Sequence, residues 1–139
     1  MGWLIDTNVL SELRKGTRAD PAVTAWFEGT NDTDLYTSVL VLGEVRRGIE
    51  SIRRRDETAA TALELWLWRT IEVFANRVLP IDAAITDRWG RLNVPDPVPT
   101  IDGLLAATAL ERDLVLVTRN TRDVESTGVR LLDPFEPSS

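Results

Sequence analysis

The chain has 139 residues, a net charge of −6, and 43% hydrophobic against 27% charged residues, the balance of one globular domain with a real core. It holds no Cys and no His, which removes the usual structural zinc sites, cysteine nucleophiles and any triad or acid–base pair built on imidazole. No apolar run reaches the roughly 20 residues that span a bilayer. The N-terminus shows neither the basic nor the apolar region of a signal peptide, so no membrane partner and a cytoplasmic location are expected. Basic charge is almost all Arg, fifteen of them against the single Lys15. An acidic chain gains no global attraction for nucleic acid, so phosphate binding has to be local.

Trp3-Leu4-Ile5 reads as a short buried strand, with Asp6 where it ends. Thr7 and Asn8 can cap a following helix, Val9 to Lys15, closed by Gly16. Asp20-Pro21 opens a short helix that stops at Gly29. Leu35-Tyr36-Thr37 reads as a second strand, and Ser38 caps a helix from Val39 to Ile52 that carries Glu44. Arg53-Arg54-Arg55-Asp56 is a charged connector to a long helix, Glu57 to Phe74. Val78 to Ile81 is a third extended segment, and Asp82 caps a helix through Ile85, Trp89 and Leu92. Three prolines between Val94 and Pro99 make a loop.

Thr100 to Arg112 is the cleanest helix, with Asp102 in its first turn. Leu114-Val115-Leu116-Val117 is the best strand, a β-branched run of the kind buried on both faces. Thr118-Arg119-Asn120 and Asp123 follow it. Val129 to Leu132 is a last short strand, and residues 135–139 form a loose tail behind a domain of residues 1–134. Short strands alternating with helices predict an α/β fold, a short parallel sheet with helices on both faces.

Right-handed βαβ winding puts helix N-termini and strand C-termini at one edge of such a sheet. Asp6, Asp102 and Asp123 all fall at that edge, and Glu44 can lean up to it from its helix. Each acid alone has an ordinary explanation as a cap, a first-turn acid or a surface residue. Together they would repel unless a cation or proton offsets them, which points to Mg²⁺ or Mn²⁺.

Four stretches then carry a resemblance. Leu4 to Lys15 (LIDTNVLSELRK) resembles the opening of PIN-domain toxins of the VapC and FitB type. Ser38 to Gly48, Thr100 to Leu110 and Leu116 to Asp123 are similar to the family's later motifs, in the expected order along nearly the whole chain. The resemblance implies a three-layer PIN fold and a metal-dependent endoribonuclease, the toxin of a type II pair silenced by a VapB/FitA-like antitoxin. It implies catalytic acids at Asp6, Glu44, Asp102 and Asp123, with Asp6 and Asp102 as direct ligands of Mg²⁺ or Mn²⁺. Thr7, Ser38, Thr118 and Asn120 become supporting partners, and a homodimer is expected. Two departures are Gly103, where alanine is common, and Val124, in place of a frequent aromatic.

Arg46, Arg47, Arg119 and Arg122 lie near the acidic motifs and could hold substrate phosphates. Trp66 and Trp68 point to nearly opposite sides of one helix, so both cannot face one core: either one is core and the other covers a neighbouring helix, or one is an exposed anchor for self-association. Two other readings share the acidic edge. A phosphoacceptor signalling domain would want a lysine after its last core strand, which this chain lacks. A PIN-like interaction module without catalysis would not need the intact acids.

Overall fold

The computed structural model describes residues 2–137. Five parallel strands form one sheet in the order β3-β2-β1-β4-β5, with β1 Gly2–Ile5, β2 Leu35–Ser38, β3 Val78–Leu79, β4 Leu114–Val117 and β5 Leu131–Leu132. Among the described residues seven α-helices complete it: α1 Thr7–Leu13, α2 Pro21–Glu28, α3 Val39–Arg53, α4 Glu57–Phe74, α5 Ala83–Leu92, α6 Thr100–Arg112 and α7 Thr121–Val124. The α/β architecture is the one expected.

β1 lies at the centre with β4 beside it, and both are apolar runs because helices cover both faces of a parallel sheet. All four residues of β4 are buried, as are Leu4 and Ile5. Each such Leu or Ile contributes about 1.5–3 kcal/mol on leaving water. Their register, Ile5 opposite Val117, sets Asp6 beside Thr118, and the Asp6 backbone N–H donates to the Val117 carbonyl. Helix α6 closes at Asp113, whose left-handed backbone turns the chain directly into β4.

Local readings differ from the structure at a few ends. Helix α1 begins at Thr7 because Asp6, rather than Thr7 or Asn8, is its N-cap, its carboxylate accepting from the Thr7 N–H. Residues Gly16–Arg18 continue as a 3₁₀ turn. The last strand shrinks to Leu131–Leu132, since only there does it run beside β4 in register. Of the tail at 135–139, Ser138 and Ser139 lie outside the described residues, while Phe135 packs against the core.

Helices α3 and α4 pair along their length. Arg46 bonds Glu50 and Glu64, and Arg53 bonds Glu50, Glu57 and Glu64. Trp68 is 53% exposed and lies under the Arg46 guanidinium, whereas Trp66 packs partly buried against the core. The two indoles therefore face opposite ways, as their spacing requires. Among the described residues no helix is long and apolar enough to cross a membrane.

Candidate active site

The site forms where β1 and β4 run out. Asp6 follows β1, Glu44 sits in the second turn of α3, Asp102 in the first turn of α6, and Asp123 in α7 beyond β4. Asp6 is 4% exposed, Glu44 and Asp102 are half-buried, and Asp123 is exposed. Burial is the main force raising the Asp102 carboxyl, to about 6, and the charges of Asp6, Asp123 and Glu44 push the same way. The fold thus brings all four acids within electrostatic reach of one another.

Burial also pushes the Asp6 carboxyl above its ordinary value, and the Glu44 charge adds to the rise. Hydrogen bonds from the Thr118 hydroxyl and the Thr7 backbone N–H oppose both effects. Thr118 Oγ1 donates to Asp6 Oδ2 at 2.7 Å, and Asn8 Nδ2 donates to the same oxygen at 3.3 Å. Thr7 Oγ1 donates to Glu44 Oε1 at 2.6 Å. Each fixes a carboxylate without neutralising it, since none of these donors is a cation. None of the four acids makes an ion pair with Lys or Arg among the described residues.

The supporting partners divide. Thr7 and Thr118 hold acids as expected. Ser38 instead caps α3, its hydroxyl accepting from the Leu40 N–H. Asn120 acts through its backbone, its N–H donating to Thr118 Oγ1 and its carbonyl accepting from the Asp123 N–H. Asn8, read from sequence as a cap, is the larger surprise. Its amide bonds Asp6 and Thr118, and its carbonyl oxygen accepts from the Arg119 N–H. A cap and a bridge across 110 residues look identical locally, because β1–β4 register decides which one forms.

The absence of a larger residue at 103 also has a cause. A Cβ there would sit 3.3 Å from Cδ1 and Nε1 of Trp89 on α5. The indole packs onto the bare Cα next to Asp102, which is how α5 and the start of α6 come so close. No sequence signal at Gly103 pairs it with a residue 14 positions upstream.

A family model described as PIN domain matches residues 3–128. This chain belongs to the PIN-domain family. Among its PIN relatives, the VapC ribonuclease Y4jK of Sinorhizobium fredii is 30% identical over 97% of this chain and 99% of its own length. Toxin FitB of Neisseria gonorrhoeae is 26% identical over 95% of this chain and 97% of its own. The crystal structure of FitAcB from Neisseria gonorrhoeae superposes with a TM-score of 0.88 at 26% identity, covering 96% of this chain and 99% of that one. The domain is thus a PIN domain of the VapC/FitB type, with the parallel sheet of that fold.

The PIN acids suit a hard divalent ion. Their donors are all oxygen, and Asp6 and Asp102 bear charge that burial opposes and no protein cation offsets. Among the described residues no three of them form a ready-made cage for an ion. One or two direct carboxylates with water elsewhere is the way Mg²⁺ is ordinarily held.

Proposed function

We propose that this PIN domain is a metal-dependent endoribonuclease, the toxin of a type II toxin–antitoxin pair acting in the cytoplasm. The observation that carries the reading is the set of four mutually repelling, cation-free carboxylates at the sheet edge, in a chain whose relatives include a named VapC ribonuclease and a named toxin. Asp6 and Asp102 would hold Mg²⁺ or Mn²⁺ directly, with Glu44 and Asp123 completing the acidic cluster. A bound divalent ion supplies positive charge for the phosphate and makes water a better nucleophile, so no His is required.

The protein's own groups then have definite tasks. Thr118 and Asn8 hold Asp6 Oδ2 in place, and Thr7 orients Glu44 by its hydroxyl. Attack by water rather than by the ribose 2′-hydroxyl leaves a 5′-phosphate and a 3′-hydroxyl. Incubation of the protein with structured RNA in Mn²⁺ should give such ends and stop with EDTA. Cyclic 2′,3′-phosphate ends would overturn the mechanism.

Silencing by an antitoxin belongs to the same reading. An apolar cavity of about 620 Å³ lies between α1, α2 and α4, lined by Leu10, Leu13, Phe27, Trp66 and Val73. A smaller one of about 260 Å³ reaches Thr7 and Glu44, and the two share Arg14 and Trp66. Val45, Ile49 and Ile52 of α3 line the smaller cavity with Leu63 and Trp66 of α4, whereas Val41 is buried in the core, so the apolar groove runs from between α1, α2 and α4 to the seam of α3 and α4. An apolar antitoxin segment in this groove could deliver a guanidinium to the acids. Inhibition of a homodimeric toxin should then weaken as Mg²⁺ rises, followed by RNA cleavage, with sedimentation giving the stoichiometry. A cognate antitoxin indifferent to Mg²⁺ and to loss of all its basic residues would refute this arrangement.

A further inference from the structure

We infer that Arg119, braced by Phe135, is a phosphate subsite for the RNA strand running past the acidic cluster. This rests on the ribonuclease reading and deepens it. Arg119 directly follows Thr118, and its backbone N–H donates to Asn8 Oδ1 at 3.2 Å. Asn8 in turn holds Asp6, so the main chain of Arg119 is tied to the acids through one side chain.

The side chain is fixed separately. Its guanidinium carbon lies 4.0 Å from the centroid of the Phe135 ring. The ring itself is anchored: Phe135 packs against the core, Pro134 before it is buried, and the Phe135 N–H donates to Asp133 Oδ1 at 2.9 Å. Stacking occupies the flat face of a guanidinium and leaves its in-plane N–H donors unused. Those donors form the fork that matches a phosphate. Among the described residues the Arg119 side chain makes no hydrogen bond or ion pair. Glu12 feels its charge, but the Glu12 carboxylate already accepts from Lys15 and from the Asp20 N–H.

Arg46, equally near the acids in sequence, is excluded from this role because Glu50 and Glu64 hold it. A chain of net charge −6 with four acids at its site repels an RNA backbone. A rigid cation without a carboxylate partner, on the residue that follows Thr118, offsets that repulsion for a strand passing the site. The turn at Asp133–Phe135 thereby becomes part of substrate binding, although it lies beyond every acidic motif.

The test measures binding of a labelled single-stranded RNA to the full chain carrying Asp6→Asn, which prevents cleavage, across a range of KCl. Adding Arg119→Ala should weaken binding about tenfold, the worth of one charged hydrogen-bond pair. It should also make the slope of log K against log salt shallower by about 0.7, the signature of one lost single-strand phosphate contact. Arg119→Lys should keep most of the slope, because the charge stays. Phe135→Leu should keep the slope but weaken binding, because the anchor survives without the stacking face. If Asp6→Asn protein binds RNA and Arg119→Ala changes neither affinity nor slope, the subsite is wrong while the ribonuclease reading stands. If the Asp6→Asn protein binds no RNA, both fall together.

Discussion

Replacing Asp6 by alanine should lower RNA cleavage by about a thousandfold or more, the scale on which one well-placed electrostatic group acts. The fold should survive. The substitution removes the N-cap of α1, a loss of about 1 kcal/mol, and leaves the Thr118 hydroxyl with one donor bond fewer. Against that, it removes a buried carboxylate held above its ordinary pKa by desolvation and by Glu44. Circular dichroism should therefore match the parent while activity and growth toxicity disappear together. Retained cleavage in Asp6→Ala, in a preparation free of parent protein, would remove Asp6 from the chemistry.

The second large effect is on metal binding and pH. With the Asp102 carboxyl pushed up to about 6, protons compete with a divalent ion across the neutral-to-acid range. Mn²⁺ affinity, measured by isothermal titration, should be level above about pH 7 and fall roughly tenfold per unit below about pH 6. Asp6→Asn combined with Asp102→Asn should abolish binding, and equal affinity in that double variant would sink the metal assignment.

The same group sets a stability trend of opposite sign. A carboxyl whose folded-state pKa is raised holds its proton more tightly folded than unfolded. The metal-free protein therefore loses stability as pH rises from the unfolded value, about 3.9, to about 6, and the penalty persists above that. Allowing for solvent screening at a half-buried residue, Asp102→Asn should stabilise the metal-free protein by about 1–2 kcal/mol at pH 7.5. The gain should vanish near pH 3.5, where the parent carboxyl is protonated in both states. Saturating Mn²⁺ should reverse the order, since ligand binding to the folded state stabilises only the protein that binds it. An Asp102→Asn protein that melts below the parent at pH 7.5 without metal would show that repulsion is not the governing force there.

Much of this was already written in the order of residues. Helices α4 and α6 begin and end at Glu57, Phe74, Thr100 and Arg112, as read from their residues, because helix-favouring composition acts within a turn or two of chain. The run Leu114–Val117 specifies a doubly covered strand by composition alone. Alternation of strand and helix, with fixed handedness of winding, then sends Asp6, Asp102 and Asp123 to one edge without any knowledge of distances. What sequence could not decide is pairing between side chains far apart in the chain. Whether Asn8 caps α1 or bridges Asp6 to Thr118 depends on β1–β4 register. That Arg46 is consumed depends on α4 lying against α3, and that Arg119 is held on an aromatic face depends on the C-terminal turn bringing Phe135 under it. Gly103 reads as a weak helix start until Trp89 is seen packed on it. Local conformation answers to neighbours in sequence, whereas charge neutralisation and close packing answer to neighbours in space, and those exist only once the sheet has assembled.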